Sequence, residues 1–249
     1  MAAFLKNNLK FIVFLLIFGL VGGYFTVLYS IEIMQPQVLE ETVAQAGSIE
    51  IVIAVTVIQY VLYSVVLGLF GKTLAGKIGL WRKLSFEVKP ILSVLLVSLV
   101  GGALFIGLDV FLFSNLSDVI RDSYNAKPTL NFIIASITYG AVVEEVMLRL
   151  FFMSLIAFAL WKLSRKDSVT DKQIIVANIV AAILFAAGHL PATIMSIGLT
   201  PMIVLRCFAL NGGYAVFFGR LYRKYGIQYA MLAHGGVHII SKLIWILFI

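Results

Sequence analysis

Charged side chains make up only 12% of this 249-residue sequence, against about 25% in an ordinary soluble domain. So few cannot cover a water-facing surface, which excludes a soluble globular protein. The single cysteine, Cys207, lies in an apolar run and excludes both a disulfide framework and a multi-cysteine metal site. No internal repeat or low-complexity tract is present, and no run of polar sequence is long enough for a separate soluble domain. What is abundant is apolar: hydrophobic residues reach 61%, with a mean hydropathy of +1.04. The excess apolar surface must face lipid, so the fold class is an all-α transmembrane helix bundle.

Apolar runs at about 11–31, 49–70, 90–114, 131–161, 173–190, 198–219 and 227–248 predict seven spans. The first resembles a signal peptide, but its length and the lack of an A-x-A site in 24–30 predict a retained span. Fourteen of the nineteen Lys and Arg fall in alternate connections. These are Lys6 and Lys10, Lys72 to Lys89, Lys162 to Lys172, and Arg220 to Lys224; the opposite connections carry only Arg121 and Lys127. The positive-inside rule therefore places the N-terminus in the cytoplasm. Topology accounts for most of the net charge of +7, and no nucleic-acid partner is expected. Residues 71–90 read either as a basic amphipathic segment on the cytoplasmic surface, with Leu74, Ile78, Leu80, Trp81 and Leu84 on its apolar side, or as a solvated linker. The chain is expected to be one membrane domain over 1–249.

Ionisable groups are costly in hydrocarbon, so those within spans point to function. Glu144, Glu145 and Arg149 lie in the fourth run, and all three histidines, His189, His234 and His238, lie in the last three runs or at their edges. Singly, each has a bland reading as an interhelical hydrogen-bonding group. Glu145 and Arg149, at i,i+4, share a helix face and can neutralise each other. Glu144, about 100° around the helix, is left for another partner or for general-base chemistry. Phe185 to His189 is expected to end the fifth span just before Pro191. His234 and His238, also at i,i+4, flank Gly235 and Gly236 and can address one oxyanion or metal ion.

Arg206, with Asn211, Gly212 and Gly213, either lines the same cavity or bridges helices, with Asp109 as its expected partner. Lys242 is expected to snorkel to the outer interface. Counted from Leu160 and Gln173, Glu144 and His189 lie level, about 24 Å deep, whereas His234 is only about 10 Å from Ile227. Either the last span begins nearer Leu221, or its cytoplasmic end is drawn into the bundle.

The order E144-E145-x-x-x-R149, F185-x-x-x-H189, H234-x-x-x-H238 resembles the CAAX protease and bacteriocin-processing family, also called Abi, over a catalytic core at about 130–248. The resemblance implies a membrane-embedded endopeptidase acting on a membrane-associated peptide or protein. Glu144 would activate water with His189 as its partner, Glu145 and Arg149 would hold the first motif, and His234 would stabilise the oxyanion. His238 stands where well-studied members have asparagine. A metal-free glutamate mechanism with no cofactor is the expectation. The alternative is Zn²⁺ held by Glu144, His189, His234 and His238. The compact build leads us to expect a prokaryotic plasma membrane, where a prenylated substrate is not anticipated. A proton-coupled transporter, which would show inverted repeats, and a non-catalytic immunity or adaptor protein are the rival functions.

Overall fold

The computed structural model describes residues 2–83 and 87–249. Among these residues the secondary structure is helical throughout, and seven helices are long and apolar enough to cross a membrane. The protein is an integral membrane protein. The spanning helices are α1 (Ala2–Ile33), α3 (Ile49–Lys77), α4 (Val88–Leu116), α6 (Leu130–Ser164), α7 (Asp171–Ile197), α8 (Pro201–Tyr225) and α9 (Ile227–Phe248). Two short helices, α2 (Pro36–Ala46) and α5 (Asp118–Asp122), lie in connections. Hydroxyl side chains start four of the spans: Ser48, Thr129, Thr170 and Thr200 each accept a backbone N–H of the first turn. At α7 Gln173 returns the bond to Thr170, forming a capping box.

Contacts between connections sort the helix ends onto two faces. On the basic face Arg223 pairs with Asp171 at 2.5 Å, and Gln173 donates to the Leu160 carbonyl at 2.9 Å. On the other face Glu32 accepts from Thr129 and Asn131 at 2.7 and 2.6 Å, and Lys127 reaches the Trp245 carbonyl. The segment at 71–90 divides: Gly71–Lys77 continues α3, Ile78 and Leu80 are buried in the core, and Val88 begins α4. Leu84 lies outside the described residues.

Two helix ends differ from expectation. α7 does not stop before Pro191 but continues to Ile197. Proline removes the backbone donor that would reach the Ala187 carbonyl, and two residues on the Thr193 hydroxyl makes a separate bond to the His189 carbonyl at 2.8 Å. α9 does not begin near Leu221. Gly226, at φ 115°, breaks the chain between α8 and α9, a conformation that favours glycine. Ile227, Gln228, Tyr229 and Ala230 are all buried. The cytoplasmic end of α9 is therefore drawn into the bundle, which brings His234 level with α6.

α6 is wound unusually. From Ser136 to Glu144 and from Val146 to Met153 its backbone bonds run i→i+5 rather than i→i+4. Such widened turns are rare and concentrate at functional positions. A core of Val146, Leu150, Met153, Phe218, Tyr222 and Ala233 fills the bundle between α6, α8 and α9 on the basic side of Glu145.

Candidate active site

α6, α7 and α9 bring together the six residues singled out in the sequence. Glu145 and Arg149 pair within α6 at 3.3 Å, both fully buried. The guanidinium also donates to the Ala215 carbonyl at 3.2 Å and lies over the Phe185 ring at 4.7 Å. These contacts offset part of the desolvation cost of an ion pair in a dry interior. Nδ1 of His234 lies 2.9 Å from Oε1 of the same glutamate. Glu144 points elsewhere, into a cavity, with its Oε1 3.9 Å from Nε2 of His189.

The histidine protons follow from their partners. A carboxylate only accepts, so His234 Nδ1 donates to Glu145, and in the neutral ring Nε2 keeps a lone pair. His238 Nε2, 3.1 Å away, must then be the donor to His234 Nε2. That leaves His238 Nδ1 to accept from Lys242 Nζ at 3.3 Å. Lys242, His238 and His234, spaced i,i+4,i+8 on α9, thus form a one-way chain of hydrogen bonds ending on Glu145. His189 Nδ1 lies 2.9 Å from the Phe185 carbonyl and donates to it, which turns the Nε2 lone pair toward Glu144.

The cavity holds about 320 Å³ and is bordered by Glu144, His189 and His238, with Tyr60, Tyr139 and Phe185 among its walls. Gly140 forms part of the wall beside the acid: a Cβ there would stand 3.4 Å from His238 Nε2 and 3.8 Å from Glu144 Oε2. His234 does not border the cavity, and both its nitrogens are engaged. His238 is the α9 histidine that faces the space. The four side chains weighed as a zinc sphere do not converge. Among the described residues no group of three or more His, Cys, Asp or Glu is arranged to hold a metal ion.

Lys242 joins this hydrogen-bonded cluster, which the sequence alone did not indicate. It does not snorkel outward: it is buried, bonded to His238, with Nζ 4.0 Å over the Phe132 ring. Its i,i+4 spacing from His238 was the available signal. Arg206 makes a bidentate pair with the buried Asp109, whose carboxylate also accepts from the Tyr124 hydroxyl at 2.5 Å. This cluster joins α4, α8 and the connection after α5, and none of its members borders the cavity.

Residues 126–240 match the protein family described as Type II CAAX prenyl endopeptidase, Rce1-like. No curated protein and no solved structure matches the chain.

Proposed function

We propose, from the match of residues 126–240 to the Rce1-like prenyl endopeptidase family, that the protein is an intramembrane endopeptidase that hydrolyses a peptide bond in a membrane-associated peptide or protein. The observation that carries this reading is the Glu144–His189 gap of 3.9 Å at the cavity wall. It is too long for a direct hydrogen bond and suits one water held between the two side chains. Glu144 takes a proton from that water as its oxygen attacks the scissile carbonyl carbon. The His238 Nε2–H borders the same cavity and turns from His234 to the developing oxyanion. When the C–N bond breaks, the proton taken by Glu144 passes, with His189 assisting, to the leaving amine. Glu145 and Arg149 position His234, and His234 and Lys242 position His238.

Water is activated by the carboxylate without a metal ion in this reading, since His234 has no free nitrogen with which to complete a zinc sphere. The protein sits in a prokaryotic plasma membrane with its N-terminus in the cytoplasm.

Comparing peptide N-termini in membranes from cells carrying the wild type and Glu144→Gln at matched abundance tests the reading. Cleaved N-termini that vanish in the variant identify the substrates. Identical profiles would remove the protease reading and favour a transporter or adaptor. If proteolysis by purified protein stops after exhaustive chelation and returns with added Zn²⁺, the metal-free mechanism is wrong.

A further inference from the structure

The cavity is placed toward one face of the bundle. His189 is eight residues from the end of α7 at Ile197, and His238 is ten from the end of α9 at Phe248. These separations correspond to about 12 and 15 Å along the helices. Both ends belong to the face opposite the basic one. The cavity extends from these residues toward Thr26, Ser30 and Ile33 at the end of α1, Phe132 at the start of α6, and Ala192 on α7. All five lie toward that same face. In the other direction Val146, Leu150, Met153, Phe218, Tyr222 and Ala233 separate Glu145 and His234 from the basic ends, and all six are fully buried. They belong to the closed core and do not border the cavity.

We infer that the site receives its substrate from the extracytoplasmic face. This rests on the protease reading for the substrate's identity as a peptide, and on the positive-inside rule for the sign of the faces. The walls also describe what enters. Glu144 is the one acidic or basic side chain, histidines apart, among the residues bordering the cavity; the remainder are aromatic, aliphatic, hydroxyl, thioether or glycine. A charged residue next to the cleaved bond would lose hydration without finding a counter-ion, except a cation beside Glu144. The substrate is therefore a membrane-associated peptide whose bond to be cut lies in an uncharged segment reachable from the extracytoplasmic half of the bilayer.

The face is tested without reference to activity. In a Cys207→Ser background, single cysteines are placed at the rim by Ser30→Cys or Ala192→Cys, and on the basic face by Lys166→Cys. Intact bacterial cells are then treated with a membrane-impermeant maleimide. The rim cysteines are expected to label in intact cells, and Lys166→Cys only after permeabilisation. Labelling of Lys166→Cys but of neither rim cysteine in intact cells would overturn the inference, whatever the protein's chemistry. A second measurement adds a quenched-fluorescent peptide with an uncharged central segment to right-side-out vesicles and to detergent-solubilised protein. Cleavage in both, lost in Glu144→Gln, supports the inference. Cleavage in detergent but not by right-side-out vesicles overturns the access route and leaves the protease reading standing. Absence of cleavage in both, with rim labelling intact, counts against the peptide specificity or the protease reading but not the accessible face.

Discussion

His234 Nδ1 lies 2.9 Å from Glu145 Oε1, and through this contact α9 is fastened to α6 at the depth of the cavity. The same oxygen faces Arg149 at 3.3 Å, so one buried carboxylate serves both the ion pair and the histidine chain.

Replacing Glu145 by Gln keeps an acceptor for His234 but leaves the Arg149 guanidinium buried without its carboxylate. Breaking a buried pair in this way costs about 3–5 kcal/mol, or a fall in Tm on the order of 10 °C for a chain of this size. Adding Arg149→Met is expected to restore much of the loss. Thermal unfolding in detergent checks both, and a Tm unchanged in Glu145→Gln would show that the pair carries no stability.

Lys242→Met keeps most of the side-chain volume and removes the donor to His238 Nδ1. The His238 tautomer is then held by the His234 contact alone. One lost hydrogen bond of about 1 kcal/mol corresponds to roughly a fivefold fall in kcat, with KM little changed. Histidine NMR should report the change directly, as a loss of the single Nε2–H tautomer. An unaltered tautomer would mean that Lys242 only fills space.

Glu144→Gln removes the base while preserving shape. Turnover should fall by about 10²–10⁴-fold, with Tm held near the wild-type value, since the carboxylate faces the cavity and lies 3.9 Å from His189 Nε2, too far for a direct hydrogen bond. Gly140→Leu tests the same space by filling it. Its Cβ would meet His238 and Glu144 at ordinary contact distances, so the remaining branch must occupy the cavity, and activity should fall while Gly140→Ala stays active.

Outside the spans, burial first and the Asp109 carboxylate second push the Tyr124 hydroxyl well above the usual phenol range. A raised folded-state value stabilises the protein fully below the unfolded phenol's value near 10 and loses that contribution as pH rises further. Tyr124→Phe should flatten the fall in stability above about pH 10. Unfolding midpoints measured across alkaline pH decide this, and identical slopes would contradict it.

The spans were legible because hydropathy and charge alternation are properties of a segment by itself. The Glu145–Arg149 pair was legible for a similar reason: i,i+4 spacing is local and survives the widened turns of α6. The direction of Lys242 was not. A lysine near a helix end satisfies its charge either at the interface or on a buried acceptor, and only the packing of α9 against α6 makes His238 that acceptor. The end of α7 was misplaced because proline breaks a helix in water more readily than inside a bundle, where the backbone left over can find other partners. The position of His238 at the cavity, with His234 behind it, depends on how far α9 is drawn in, and the sequence left that choice open.

The ladder of His234, His238 and Lys242 also makes α9 a helix with one working rotation. Each added residue turns an α-helix by about 100°. A single insertion between Gly226 and His234 would swing the whole ladder off Glu145 at once, while lengthening the span by only about 1.5 Å. The last span thus acts as a keyed part. It can slide little and turn hardly at all without cutting the link between the buried ion pair and the cavity.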